Sequence, residues 1–254
     1  MDLVSYDKMY CEQGQETINV DESTSSIYFN AGINPKTMSQ LIDKLLSLEQ
    51  KILKKQKGLK RKFKELKKDD KEKDLSDYEE QFEIKIEPKP ITLYITSNGG
   101  YVYQVFSAID TIRGMKIPVH TVCKGFVASA GTLLSLAGKK RFITESSYML
   151  IHELRAGHWG KYTHLAESFE NCKQLMEHIK SYYLARTKIP AQELEEQLKR
   201  DVTWNAQTCL EKGLVDEIIK SNKDKEKEKK PNEISTNTTN STLTTATTAT
   251  TSNS

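Results

Sequence analysis

The feature that most restricts the fold is an alternation of short apolar runs with longer amphipathic runs between residues 26 and 219. ITLYITSNGG at 91–100 and PVHTVC at 118–123 have the length and apolar content of buried strands, and the first runs into a glycine turn. The stretches 102–113 and 165–186 repeat apolar residues every three or four positions, as helices packed on one face do. Strands that alternate with helices predict an α/β domain of βαβ units with right-handed crossovers.

The same patterns predict the other elements of this domain. Each run is assigned by its apolar period, and glycine marks the turns between runs. The further elements are a strand and turn at 26–33, an amphipathic helix at 38–53, a glycine-entered helix at 125–138, short strands at 141–144 and 148–151, short helices at 193–198 and 206–212, and a strand in GLVDEII at 213–219.

Three stretches do not fit this alternation. Residues 1–25 show no period and are predicted to be an irregular arm preceding a domain at 26–220. From residue 54 to 80 the chain is dominated by Lys, Asp and Glu, so we place a charged insertion at about 54–88. It is either a solvated helical extension or disordered insertion, or a docking surface for an acidic partner or nucleic acid. Residues 221–254 have too few apolar residues to form a core and are predicted to be disordered.

The composition excludes several classes of protein. With 38 basic and 35 acidic residues the net charge is +3, too small to predict nucleic-acid binding. No run reaches the roughly 18–20 apolar residues of a membrane span, and the first 25 residues are too polar for a signal peptide. The cysteines lack metal-ligand spacing, so we expect free thiols, no metal and a cytoplasmic location. They are Cys11, Cys123, Cys172 and Cys209.

Small residues surround a serine near the middle of the chain. Ser129 lies in ASAG at 128–131, at a predicted strand-to-helix junction with room for a substrate carbonyl. The N–H of Ala130 would lie at the start of the helix, where a backbone donor stabilises a developing oxyanion. In SNGG at 97–100, the N–H of Gly100 could be a second donor. Each motif alone is also typical of tight helix packing or an ordinary turn.

A histidine and an aspartate also occupy positions that chemistry could use. His152 ends the apolar run YMLI at 148–151, and Asp201 precedes VTWN at 202–205. A histidine at the end of a buried strand is often only a hydrogen-bonded structural residue. An aspartate shortly before a helix is usually an N-cap. Taken separately, both residues therefore have a plain structural interpretation.

The order in which these motifs occur resembles the proteolytic subunit of Clp protease, the ClpP family of serine peptidases. The resemblance covers about residues 26–219 without the charged insertion. Its most specific parts are LYITSNGG, GFVASAGTLLSLAGKKRF, YMLIHE and DVTWNAQTCLEKGLVD. The resemblance implies a ClpP/crotonase-like spiral of βαβ units with a projecting handle helix. A glycine-bearing strand at 153–162 would border the active site.

The resemblance also implies the role of each candidate residue. Ser129 matches the nucleophile, His152 the general base and Asp201 the acid that orients the histidine. The backbone N–H groups of Gly100 and Ala130 match the oxyanion hole. A serine hydroxyl needs such a base, because it is a poor nucleophile until its proton is removed.

The family further implies a serine endopeptidase that hydrolyses unfolded polypeptides inside a homo-oligomeric ring of seven subunits. Two rings could stack, and a Clp-type AAA+ ATPase that uses ATP could feed them, so this chain itself needs no cofactor. The chain departs from the family in two places that concern these contacts. Lys199 replaces an acid that helps hold two rings together, and Gly114 replaces an aromatic residue of the ATPase docking pocket.

Other functions stay open at this point. The chain could be a catalytically silent structural subunit of such a ring, although an intact triad disfavours this. A crotonase-like acyl-CoA enzyme would share the spiral but not need the triad. A relative of signal peptide peptidase would use a Ser-Lys dyad, with Lys124 or Lys139 as the lysine, and would leave His152 and Asp201 unexplained.

Overall fold

The computed structural model describes residues 16–69 and 88–220. The predictions made for 1–15 of the irregular arm, for 70–87 of the charged insertion and for the disordered tail at 221–254 lie outside the described residues. The strands are β1 (Thr17–Asp21), β2 (Ser26–Asn30), β3 (Ile91–Ser97), β4 (Val119–Ala128), β5 (Lys140–Thr144), β6 (Tyr148–Leu150), β7 (Thr203–Asn205) and β8 (Glu217–Ile219). The helices are α1 (Pro35–Asp69), α2 (Val102–Gly114), α3 (Ala130–Ser135), α4 (Tyr162–Leu184), α5 (Ala191–Leu198) and α6 (Ala206–Glu211).

The strands form one mixed sheet in the order β1-β2-β3-β4-β5-β8, and β6 and β7 extend it beside the end of β4. The pairs from β2 to β5, together with β4–β6 and β5–β8, are parallel. The outer pairs β1–β2 and β6–β7 are antiparallel. Parallel neighbours joined through helices are what the alternating sequence pattern predicts, so the α/β fold class is confirmed.

Strand β4 changes neighbours along its length. Its first half pairs with β5, where Thr121 lies opposite Arg141. Its second half pairs with β6, where Ala128 lies opposite Leu150. The change occurs around Gly125, which has a φ of 69° that glycine adopts without strain. Because β4 continues to Ala128, the helix predicted at 125–138 begins only at Ala130 and ends at Ser135, so that prediction is wrong in its first five and its last three residues.

The core lies between the sheet and the helices that cover it. Burial alternates along β3, so that Ile91, Leu93 and Ile95 are fully buried on one face. The first half of α1 buries Leu41 and Leu45 against this core, in agreement with the helical period in the sequence. Each buried aliphatic side chain of this size contributes about 1.5–3 kcal/mol of transfer free energy.

Helix α1 is longer than the apolar pattern predicts. Its period was expected to end at Leu53, but the helix continues through the charged residues to Asp69. From Lys54 to Lys62 every residue is exposed except Gln56, which is half-buried. The insertion is therefore helical as far as Asp69 and almost entirely exposed over 54–62, and the docking surface stays a hypothesis.

The predicted irregular arm contains a strand. Residues 17–21 form β1, which pairs with β2 so that Ile18 lies opposite Phe29. Ile18 and Val20 pack against the core, but two apolar residues are too few to reveal a period. At the turn after β1 the Asp21 carboxylate accepts a hydrogen bond from the backbone N–H of Ser23 at 2.9 Å.

Helix α4 corresponds to the predicted handle. Only its last two turns are buried, at Ile179, Tyr182 and Tyr183. The turns from Tyr162 to Glu170 are almost entirely exposed, so the helix projects from the domain. In the part of the chain that the structure describes, no helix is long and apolar enough to cross a membrane.

Candidate active site

The sheet brings all of the candidate residues to one edge. Gly100 follows the carboxyl end of β3, Ser129 that of β4 and His152 that of β6, and these three strands are parallel neighbours. Asp201 precedes β7, whose first residue, Thr203, lies opposite Leu150 of β6. Because the carboxyl ends of parallel strands meet at the same edge, residues far apart in sequence form one local group here.

Ser129 occupies a strained turn between β4 and α3. Its φ of 54° and ψ of −127° are unusual for a residue with a side chain. The turn is held by a hydrogen bond from Ser129 N–H to the carbonyl of Leu150 at 2.8 Å. The Ser129 carbonyl accepts from Thr132 N–H at 2.9 Å and from Thr132 Oγ1 at 2.6 Å. Small-residue packing alone does not require such a conformation.

The glycine turn after β3 packs directly against Ser129. A Cβ atom added to Gly99 would lie 2.6 Å from Ser129 Cβ, and one added to Gly100 would lie 2.1 Å from the Ile33 carbonyl oxygen. Both glycines also have positive φ, 92° and 141°. The turn is fixed by hydrogen bonds from Ile33 N–H to the Gly99 carbonyl at 2.7 Å and from Tyr101 N–H to the Ile33 carbonyl at 2.9 Å. Only glycine fits either position.

Two backbone donors next to Ser129 are not used by the fold. Within residues 16–69 and 88–220, neither Gly100 N–H nor Ala130 N–H donates a hydrogen bond. The Ala130 nitrogen would lie 3.0 Å from a Cβ atom on Gly99, so the glycine turn and the start of α3 are in contact. Two such donors beside a serine are what an oxyanion hole requires.

His152 and Asp201 form a hydrogen-bonded pair. His152 Nδ1 lies 3.0 Å from Asp201 Oδ1, and the side chains are 15% and 33% exposed. A carboxylate can only accept, so Nδ1 carries the proton and Nε2 is left as an acceptor. Among the residues that the structure describes, no hydrogen bond joins the Ser129 hydroxyl to the His152 ring.

Asp201 does not cap a helix. The N-cap of α6 is Asn205, whose side chain accepts a hydrogen bond from Thr208 N–H at 2.9 Å. The plain N-cap interpretation of Asp201 is therefore wrong. Its second oxygen, Oδ2, accepts instead from Arg155 at 2.5 Å. Sequence reasoning missed Arg155, because nothing in its local pattern distinguishes it from a surface arginine.

A cleft of about 540 Å³ opens beside this group. The turn at 100–103 forms one wall, the segment at 154–158 a second, and Ser168 and Leu175 of α4 contribute to a third. The strand predicted at 153–162 is not formed in the described chain. The backbone of this segment has no neighbouring strand to pair with. It is held instead at Glu153 N–H, which donates to the Leu198 carbonyl at 2.8 Å.

The three cysteines in the described residues make no hydrogen bond to Ser129, His152 or Asp201. Burial raises the pKa of Cys123 and of Cys209 to about 12 in each case, so both thiols stay protonated at neutral pH. Cys172, on α4, is half-buried, and all three thiols are free. The described residues contain no group of His, Cys, Asp and Glu that could hold a metal ion. Cys11 lies outside the described part of the chain.

Comparison with known proteins identifies the family of this chain. The sequence model of Clp protease matches residues 81–222, more than half of the 254 residues. The ATP-dependent Clp protease proteolytic subunit of Deinococcus radiodurans is 32% identical over 131 residues, which are 51% of this chain. The chain thus spans 64% of that relative's length, just under two thirds. The resemblance noted in the sequence motifs is confirmed: the chain belongs to the Clp protease family.

Proposed function

We propose that this chain is a serine-type endopeptidase with the triad Ser129–His152–Asp201. The observation that carries the proposal is the His152–Asp201 hydrogen bond of 3.0 Å at the sheet edge where Ser129 occupies its strained turn. An aspartate bonded to Nδ1 holds the imidazole in the tautomer that can accept a proton at Nε2. The unused N–H groups of Gly100 and Ala130 would supply the oxyanion hole.

In the proposed reaction Ser129 Oγ attacks the carbonyl carbon of the peptide bond, and its proton passes to His152 Nε2. The oxygen of the tetrahedral intermediate becomes negative and accepts hydrogen bonds from Gly100 and Ala130. The C–N bond then breaks, and His152 gives its proton to the leaving amine. Water, deprotonated by His152, hydrolyses the acyl-enzyme and restores the serine. Each oxyanion donor is worth about 3 kcal/mol in such reactions.

The assembly and partners are part of the same proposal. The relative from D. radiodurans is named as the proteolytic subunit of an ATP-dependent Clp protease, which supports an assembly that works with a Clp-type AAA+ ATPase. The assembly that we propose is a heptameric ring that receives unfolded polypeptides from that ATPase. ATP would be used by that partner. Stacking of two rings has less support, because Lys199 replaces the acid that helps hold two rings together. Docking of the ATPase also has less support, because Gly114 replaces an aromatic residue of the docking pocket. We propose a cytoplasmic location.

A catalytically silent subunit is the second candidate. The observation that favours it is the lack of a hydrogen bond between Ser129 and His152 in the described single chain. Catalytic hydrogen bonds are often long before substrate binds, so this observation does not exclude an enzyme. A Ser-Lys dyad has less support. Lys139 immediately precedes β5, whose first residue, Lys140, pairs with His120 near the amino end of β4. Ser129 follows the carboxyl end of β4, so Lys139 and Ser129 lie at opposite ends of that strand.

Labelling with a fluorophosphonate tests the proposal. The reagent should modify wild-type protein at Ser129, and Ser129→Ala should abolish both labelling and peptide hydrolysis without changing the oligomeric state. Ser168→Ala is the matched control, because Ser168 lines the cleft beside the proposed site and its loss should leave labelling unchanged. Equal labelling of wild type and Ser129→Ala would refute the nucleophile. Wild-type protein that is assembled but neither labelled nor active would favour the silent subunit.

A further inference from the structure

Both oxygens of the Asp201 carboxylate have a partner. Oδ1 accepts from His152 Nδ1 at 3.0 Å, and Oδ2 accepts from Arg155 at 2.5 Å. The Arg155 side chain is 52% exposed. Charged groups shorten and strengthen a hydrogen bond, so this contact restrains the carboxylate oxygen that accepts it. Asp201 is therefore held from two directions.

The two segments that carry Arg155 and Asp201 lie side by side without forming a sheet. Glu153 N–H donates to the Leu198 carbonyl at 2.8 Å, three residues before Asp201. The Arg155–Asp201 contact is a second link between the same segments. On the far side of Asp201, the buried Gln197 side chain donates to the Val202 carbonyl at 3.0 Å. The aspartate thus lies in an irregular stretch that is fixed on both sides.

We propose that Arg155 is a positioning residue that locks the Asp201 carboxylate in the orientation that the His152 bond requires. The inference rests on the proposed function, since it assigns a role within that triad. A carboxylate on an irregular, partly exposed segment can rotate away from His152 unless its second oxygen is held. Arg155 also forms part of the cleft wall with Gly100 and Tyr101. It therefore links the wall of the cleft to the orientation of the triad.

An exposed ion pair of this kind adds little to folding stability. Its loss should consequently appear in catalysis and not in unfolding. The alternative role for a cleft arginine is direct contact with an acidic substrate side chain. That role would change KM for acidic peptides, whereas loss of orientation changes kcat.

The test compares Arg155→Leu with Arg155→Lys in the full-length, assembled protein. Arg155→Leu should lower kcat about tenfold with KM within about twofold, for neutral and acidic peptides alike. Arg155→Lys keeps a cation within reach of Oδ2 and should recover most of the lost kcat. Arg61→Leu, at an exposed position of the α1 extension, is the matched control and should leave both constants unchanged. Unchanged kcat in Arg155→Leu would overturn the proposal, as would a rise in KM alone.

A second measurement does not depend on activity. The proton on His152 Nδ1 should give a low-field ¹H resonance in protein with ¹⁵N-labelled histidine, assigned by its loss in His152→Gln. This resonance should weaken or disappear in Arg155→Leu and return in Arg155→Lys. If wild-type protein is inactive, the proposed function fails but the resonance still decides whether Arg155 orients Asp201. A resonance of equal intensity in wild type and Arg155→Leu would overturn the proposal.

Discussion

The role proposed for Asp201 depends on its hydrogen bond to His152. Asp201→Asn keeps the size of the side chain but favours the wrong histidine tautomer, so we expect kcat to fall by about three to four orders of magnitude. Asn205→Ala is the control, because it removes the real N-cap of α6. That variant should lose about 1 kcal/mol of stability with kcat unchanged. Peptide hydrolysis and thermal unfolding of both proteins check this, and normal turnover by Asp201→Asn would remove Asp201 from the triad.

Gly100 should tolerate no side chain. In Gly100→Ala the new Cβ would lie 2.1 Å from the Ile33 carbonyl oxygen, at a φ of 141°. The turn must move, and the proposed oxyanion donor moves with it. We expect kcat/KM to fall about 10²–10³-fold, as when one oxyanion donor is lost. Gly114→Ala is the control, since apart from its chain neighbours and the backbone of its own helix no described atom lies within 4 Å of its added Cβ, and it should be fully active. Near-normal activity of Gly100→Ala would contradict the assigned donor.

The sequence allowed the proposed triad residues to be predicted, but not the side-chain contacts and the backbone conformation around them. Ser129, His152 and Asp201 could be predicted because the motifs that contain them occur in the order typical of the Clp protease family. Arg155 could not be found, because its contact with Asp201 joins two irregular segments 46 residues apart. The strain at Ser129 was also hidden, since a positive φ at a non-glycine residue leaves no mark in composition.

At the scale of the elements, long periodic segments were predictable and short edge segments were not. The buried strand β3 and the amphipathic α4 lie within a few residues of their predicted positions. β1 and β7 were missed, because strands of five and three residues are defined by pairing with a neighbour and not by their own period. The strand expected at 153–162 fails for the same reason, since it has no neighbour among the described strands.

One ion pair joins β5 to the segment before β8. Arg141 donates to Asp216 at 3.1 Å through Nε and at 2.5 Å through a terminal nitrogen. Burial alone would raise the pKa of Asp216, but the hydrogen bonds and charge of Arg141 outweigh it, so this pKa lies below its ordinary value of 3.8. A carboxyl group whose pKa is lower in the folded state than in the unfolded state stabilises the fold at pH values above the unfolded-state pKa. That stabilisation is lost as the pH falls through the folded-state pKa.

Asp216→Asn should therefore destabilise the protein at pH 7 by about 1 kcal/mol, a value reduced for solvent screening. The difference from wild type should shrink as pH falls below about 4, where Asp216 becomes protonated in the unfolded state, and should disappear below the folded-state pKa. Urea unfolding at fixed protein concentration measures both effects. Glu22→Gln is the control, because Glu22 pairs with Lys51 at an exposed site and should change little at either pH. A destabilisation that is the same at pH 3 and pH 7 would contradict the assignment.

At the scale of the whole molecule, the exposed part of α4 and the segment before it carry an apolar surface that the single chain leaves uncovered. Trp159 is 99% exposed, Tyr162 85% and Phe169 72%. Large apolar side chains grouped in this way mark surfaces that associate. The backbone of 153–160 lies next to them and lacks a strand partner among the described residues. The same segment begins at the residue after His152, so contacts made here can affect the proposed triad.

We expect the protein to form a ring oligomer through this surface, and activity to depend on it. Phe169→Glu places a charge in the apolar surface and should dissociate the oligomer at micromolar concentration. Because 153–160 would then lose its partner, hydrolysis should fall in parallel although Ser129 is intact. Gln174→Glu is the control: it adds the same charge at an exposed position on a different face of α4 from Phe169. It should change neither the oligomeric state nor the rate of hydrolysis. Sedimentation and peptide hydrolysis, measured on the same samples, test the coupling. A Phe169→Glu protein that sediments as a monomer with full activity would show that the proposed triad is aligned without assembly.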